Sequence, residues 1–259
     1  MTEPEAAQPQ AAAPRAVVLL TATVHPNVTA RLTVQAAHDR LRQYQQALPI
    51  WADAAHSAGF ALAVVETSDA DPDELLAGLP APIADTVRVL HYTPTADQIG
   101  RGKGAIEMAA VDSALSLLAL AGDATLYKGT GRLTLANAGP LLRPLLSGQV
   151  AARMSLNRAW VDTRFLGGTV DAWRDTLVPA GDLVHDDRGI YLEHAVASRL
   201  AAALAVHQLH LVRFAARPAL TGVSGSTGKP YSATVATAKD TLLRPLESLL
   251  HRLAANKQA

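Results

Sequence analysis

The sequence predicts an α/β fold with a mostly parallel central sheet flanked by helices, and three observations predict it. Residues 16–24 form a continuous apolar and β-branched run, the pattern of a strand buried on both faces. Strand and helix patterns then alternate as far as residue 128, as βα units require. Polar residues gather where these strands end, and open parallel sheets bind ligands beyond those ends.

The elements follow in order. His25 and Pro26 end the first strand. From Thr33 the apolar positions Val34, Ala37, Leu41, Tyr44 and Leu48 recur at three- and four-residue steps, which is an amphipathic helix. Pro49 should kink or restart that helix before residues 51–57, because proline lacks the N–H and crowds the preceding turn. Gly59 ends it. Residues 60–65 and 86–91 are the second and third strands, 105–121 a helix and 124–128 a fourth strand. The second half is less regular. Residues 164–170 and 209–214 read as strands, 191–207 as a helix with Leu192, Val196, Leu200 and Leu204 on one face, and 237–253 as a closing helix.

Residues 1–15 contain no large apolar side chain beyond Met1 and are expected to be a disordered tail, since burial cannot offset their ordering entropy. A soft boundary near Gly148 divides one continuous body into halves, 16–148 and 149–259.

Composition narrows the function. Lys plus Arg number 23 and so do Asp plus Glu, which argues against a nucleic-acid partner or an acidic membrane surface. Without cysteine there are no disulfides and no thiolate metal sites, which suits a reducing cytosol. The run at 16–24 is about half a bilayer span. It is preceded by Glu3 and Glu5 rather than a basic region, so it does not read as a signal peptide. The expectation is a cytoplasmic protein with at most peripheral membrane association.

Three glycine-basic elements suggest a small anionic ligand, because close backbone approach needs residues without a Cβ and a diphosphate needs N–H groups and cations. In Gly100-Arg-Gly-Lys-Gly104 with Glu107, either Lys103 or Arg101 meets a phosphate and Glu107 bonds a hydroxyl, or the stretch is a flexible loop before an ordinary helix start. It is not a dinucleotide fingerprint, since it does not directly follow a strand. In Lys128-Gly-Thr-Gly-Arg132 the glycines permit a turn that aims Arg132 into the cleft; the alternative is a solvated turn. Ser224-Gly-Ser226-Thr227-Gly-Lys229 is either a mobile loop closing over a phosphate or an exposed loop, the latter weighing more on the residues alone. It is not a nucleoside-triphosphatase loop, because Pro230 follows the lysine. Glu193 or His194, at a helix start, either serves as general base for a hydroxyl or merely caps the helix, and Glu193 ranks ahead of His194 and Asp187. No His/Asp/Glu spacing matches a metal motif.

These phrases, with Thr21-Ala-Thr-Val-His-Pro-Asn27, the helix 40–48, Glu66-Thr-Ser68-Asp69 and Tyr231, run in an order that resembles bacterial glycosyltransferases of GT-A-like, Rossmann-like fold associated with polysaccharide and lipopolysaccharide assembly. The resemblance implies transfer of a sugar from a nucleotide-activated donor to a saccharide or lipid-linked saccharide acceptor. It would make residues 16–148 the nucleotide-sugar half and 149–259 the acceptor half. Thr21, Thr23, Asn27, Glu66 and Ser68 would line the base and ribose pocket. Arg101, Lys103, Lys128, Ser224, Ser226, Thr227, Lys229 and Tyr231 would belong to the phosphate side. One departure stands out: where such enzymes commonly carry Asp-x-Asp for a divalent cation, this chain reads Thr130-Gly-Arg132. Arg132, Lys103 and Lys229 would then neutralise the leaving diphosphate, so no cofactor is firmly expected and Mg or Mn is the disfavoured alternative. The rival readings are a sugar nucleotidyltransferase, for which residues 23–27 lack the glycine of a pyrophosphate loop, and a non-catalytic assembly protein that kept the fold.

Overall fold

The computed structural model describes residues 13–26, 28, 33, 36–225 and 228–231. The expectations for the first twelve residues, for Asn27, Ser226 and Thr227, and for the closing helix lie outside them.

The strands are β1 Ala16–Ala22, β2 Ala61–Glu66, β3 Arg88–His91, β4 Thr125–Thr130, β5 Thr134–Leu135, β6 Gln149–Ala151, β7 Phe165–Thr169, β8 His210–Val212, β9 Leu220–Val223 and β10 Pro230–Tyr231. The helices are α1 Ala37–Ser57, α2 Pro72–Leu76, α3 Ala81–Ala84, α4 Ala96–Arg101, α5 Lys103–Leu117, α6 Val170–Ala172 and α7 Leu192–Ala205, with further helical turns through 173–188.

Seven strands form the main sheet in the order β3-β2-β1-β4-β7-β6-β8. Of these β7 alone runs against the others, being antiparallel to both β4 and β6. The fold is therefore the mixed α/β class that the sequence predicts, and the sheet continues across Gly148 through β6. A small second sheet, β10-β9-β5, sits beside it.

The apolar run of β1 is buried on both sides because its alternate residues enter different cores. Val17 and Leu19 pack with α5, α7 and the 170–184 segment. Val18 and Leu20 pack with α1, β5 and residues 138–145. The same alternation governs β4: Leu126 faces the α5 side and Tyr127 the α1 side. That parity later decides where Lys128 goes.

Two local expectations are corrected. Helix α1 continues through Pro49 for 21 residues, so it does not restart there. Proline cannot donate to the Gln45 carbonyl four residues back. Gly78 packs directly over that carbonyl, where an added Cβ would lie 2.6 Å from the oxygen, so the unserved turn is covered rather than opened. The stretch 100–104 is not a flexible loop either. Helix α4 starts on a Thr95–Gln98 capping box and meets α5 at Gly102, whose φ of 114° turns the chain between the two helices. The side chain of Asp186 occupies the place of a Gly102 Cβ, and Leu192 of α7 presses on Gly104. These glycines admit close packing of the second half of the chain. Strands β5, β6, β9 and β10 were not expected from the sequence.

Candidate active site

At the carboxyl ends of β1 and β4 lies a cleft of about 140 Å³. Thr21 and Thr23 come from the end of β1, Arg40 and Tyr44 from α1, Lys103 and Glu107 from α5, and Thr130 and Arg132 from the end of β4. A second cleft, of about 370 Å³, opens beside it between α5 and the start of α7. Its walls include Trp160, Asp186, Tyr191 and Glu193. Lys103 and Glu107 line both clefts and so form the wall between them. The first space is small for a whole nucleotide and of a size for its phosphates, and the second lies within the range of about 300–1,000 Å³ usual for ligand sites.

Arg132 is held by a hydrogen bond from its Nη1 to the Val223 carbonyl at 2.6 Å. Gly225 lies flat against the guanidinium, where any Cβ would overlap it. Burial pushes the Arg132 pKa below its usual value, and nearby Tyr44 opposes that shift only in part. Among the described residues no carboxylate is within ion-pair reach of Arg132. Glu107 offsets that burial only from a distance, and an anion in the cleft would add a direct partner for the guanidinium.

On the floor, Lys128 shares the β4 face of Leu126 and therefore points beneath α5. Its ammonium is ion-paired with Glu107 and donates to the Thr163 carbonyl at 2.8 Å, leaving the side chain 1% exposed. Thr21 Oγ1 donates to the same Glu107 carboxylate at 3.3 Å. The rim of β1 is fixed from α1: Arg40 Nε donates to the Thr23 carbonyl at 2.6 Å, and the Thr23 N–H donates to Tyr44 Oη at 2.8 Å. Thr23 and Thr67 share a hydroxyl hydrogen bond of 2.6 Å at the cleft edge.

The structure thus brings together Thr21, Thr23, Lys103, Glu107 and Arg132 in one cleft, and places Glu193 in its neighbour. The other described candidates line neither cleft. Glu66 is 0% exposed and accepts from the N–H groups of Val24, Ser68 and Ala70 and from Ser68 Oγ, so it clamps the β1 and β2 ends instead of meeting a ribose. Ser68 Oγ is spent on that clamp, accepting in turn from the N–H groups of Val24 and His25. Arg101 bonds Asp97 at 2.8 Å and the Gly181 carbonyl at 2.8 Å, tying α4 down outside the cleft. Lys128 lies below the floor of the first cleft, paired with Glu107. Ser224 is buried within its own turn, where Gly228 N–H donates to its carbonyl, and only the neighbouring Gly225 reaches the cleft. Lys229 is exposed and outside both clefts, and Tyr231 lies under the Arg164 guanidinium, 4.6 Å from the ring centre.

Glu193 lies in the first turn of α7, whose N-cap is Tyr191, and its backbone carbonyl accepts from Val161 N–H at 3.1 Å. His194 is exposed and packs on the Tyr191 ring. Sequence reasoning missed Arg40, Thr67, Trp160 and Asp186. Arg40 carried a signal, being a cation four residues before Tyr44 on the apolar face of α1.

Among the described residues, the lining of the first cleft does not fit a divalent cation. The end of β4 contributes Thr130 and Arg132 and no carboxylate, and Glu107 is ion-paired with Lys128. Among the described residues no group of three or more His, Asp or Glu side chains is placed to hold a metal ion. No described helix is long and apolar enough to cross a membrane.

No family model and no curated protein matches the chain. Among solved structures it is similar to a proposed nucleotide-diphospho-sugar transferase from Desulfovibrio desulfuricans G20, at 10% identity and a TM-score of 0.48, covering 77% of this chain and 79% of that one. It is similar to the galactosyltransferase LgtC in complex with donor and acceptor sugar analogs, at 12% identity and a TM-score of 0.48, over 71% and 70% of the two chains. A nucleoside-diphosphate-sugar pyrophosphorylase from Vibrio cholerae RC9 aligns at 8% identity and a TM-score of 0.42, over 76% of this chain and 92% of that one. At such identities the likeness extends to fold alone, and the chemistry rests on the clefts.

Proposed function

We propose that the chain is a glycosyltransferase that moves a sugar from a nucleotide-activated donor to an acceptor hydroxyl. The observation that carries this reading is the pair of clefts joined at Lys103 and Glu107, one rich in cations and the other bearing a carboxylate suited to act as a base. A group-transfer enzyme needs two substrates side by side, with the reacting atoms at the shared wall.

The donor diphosphate occupies the first cleft against Arg132 and Lys103. The acceptor oxygen attacks the anomeric carbon, the bond from that carbon to the diphosphate oxygen breaks, and the electron pair leaves with the diphosphate. Positioned cations stabilise that growing charge, as a bound metal would elsewhere. If configuration inverts, the hydroxyl proton passes to Glu193. Glu107 is the poorer base, because protonating it would strand the buried Lys128 ammonium without a counter-charge. If configuration is retained, no base is needed and Glu193 only orients the acceptor. The biological setting implied by the resemblance is surface polysaccharide or glycolipid assembly.

The test is a thermal-shift screen of nucleoside diphosphates, uridine and cytidine forms first, followed by donor hydrolysis assays with the nucleotide sugars that bind. Ligand binding raises the melting temperature by mass action. No shift with any nucleotide or nucleotide sugar at millimolar concentration would overturn the reading.

A further inference from the structure

The two clefts carry opposite charge. In the first, the charged residues of the described lining are Arg40, Lys103, Arg132 and Glu107, and Glu107 is already paired with Lys128. In the second, the described lining pairs Lys103 with two carboxylates, Asp186 and Glu193, the charge of Glu107 being met by Lys128 beneath. A diphosphate suits the former and would be repelled by the latter. The second cleft also holds Trp160, 36% exposed, and Tyr191. An indole presents a broad apolar face to the C–H face of a pyranose, while carboxylates accept hydrogen bonds from its hydroxyls.

We propose that the second cleft is a saccharide site selective for neutral or amine-bearing sugars, with Trp160 as the stacking platform and Asp186 and Glu193 as hydroxyl or ammonium acceptors. This names the acceptor class and rests on the two-substrate reading above. Sugars with phosphate or carboxylate groups are excluded by the same acidic walls, because a like charge brought into a partly desolvated cleft costs binding. Position supports the assignment. Trp160 lies in a turn closed by Ser155 N–H to the Trp160 carbonyl at 2.8 Å and by Trp160 N–H to Ser155 Oγ at 3.0 Å, so its backbone is held. Val161 N–H then bonds the Glu193 carbonyl at 3.1 Å, fixing the platform to the helix that carries the carboxylate.

The protein supplies its own reporter. The sequence has three tryptophans, and Trp51 and Trp173 are 1% and 0% exposed, so a sugar-dependent emission change reports Trp160. The experiment titrates lactose, N-acetylglucosamine and glucosamine against glucuronate and glucose 6-phosphate, followed by fluorescence and calorimetry, with and without 1 mM uridine diphosphate (about the millimolar range in which weak ligands saturate). Neutral or amino sugars are expected to shift the emission saturably, and the anionic sugars are not. Trp160→Phe should abolish the emission change. Glu193→Gln, with Trp160 intact, should weaken calorimetric affinity about tenfold, the usual scale for a hydrogen bond to a charged group. Equal or tighter binding of the anionic sugars, an undiminished affinity in Glu193→Gln, or no response to any sugar under either condition would overturn the proposal. Failure of the glycosyltransferase reading shows separately, as absence of nucleotide binding and donor turnover while saccharide binding persists.

Discussion

Removing Glu107 should destabilise the protein more than removing Lys128, although each change breaks the same ion pair. The asymmetry follows from burial. Glu107 keeps a quarter of its side chain exposed, at 25%, whereas Lys128 keeps 1%. Glu107→Leu leaves an ammonium sealed in the core with only the Thr163 carbonyl for company, and a buried charge stripped of its partner costs about 3–5 kcal/mol. Lys128→Met replaces the stem with one of similar shape and leaves a carboxylate that reaches water and still accepts from Thr21. That should cost about 1–2 kcal/mol. The double variant exchanges the pair for apolar contact and should lie within about 1 kcal/mol of wild type. Urea unfolding with a constant m-value measures all three, and the thermodynamic cycle should give a coupling of at least about 2 kcal/mol. A Lys128→Met loss equal to or larger than the Glu107→Leu loss, or additive effects in the double variant, would refute the burial argument.

Three further outcomes follow. Arg132→Ala should lower turnover by about a hundredfold or more and weaken donor binding by much less, since the charge it meets grows as the sugar leaves; steady-state kinetics read the two separately. Because the proposed diphosphate site relies on Arg132 and Lys103 for charge, transfer activity should survive a strong chelator, and complete loss restored by manganese or magnesium would show that acidic groups elsewhere hold a cation. Tyr127, whose pKa burial pushes up to about 12, gives an alkaline signature. The folded state keeps the phenol proton after the unfolded state has lost it, so stability present below pH 10 declines by about 2–3 kcal/mol as pH rises toward 12; in Tyr127→Phe that part of the decline should vanish.

The central strands were legible because burial on both faces forces continuous apolar runs, and β1, β2 and β4 have them. Strands of two or three residues, such as β5 and β10, carry too few alternations to form a pattern, and they exist through pairing with distant partners. The site was legible as a set of polar strand ends, but the direction of each side chain was not. Lys128 and Glu66 looked like ligand contacts because they end buried strands. Parity explains the first: two residues after Leu126 on β4, Lys128 must share its inward face. Glu66 is drawn inward by amides of the loops after β1 and β2, which no local pattern announces. Trp160 left no trace because it stands in an irregular turn, where neither period applies.

Gly102 shows how sequence chemistry and tertiary packing can use the same residue differently. A glycine-lysine-glycine phrase suggests backbone approaching a phosphate, yet here the approach is made by the chain's own Asp186 and Leu192. The consequence for the site is indirect. The positive φ at Gly102 turns α4 into α5 and so starts α5 where Lys103 and Glu107 reach both clefts. Asp186, fitted against that turn, lines the second cleft. Any side chain at position 102 would strain the backbone and displace Asp186 together. The junction therefore joins the cation-rich cleft to the acidic one through a single point of close packing, and it sets Lys103 of the basic phrase in the wall between them.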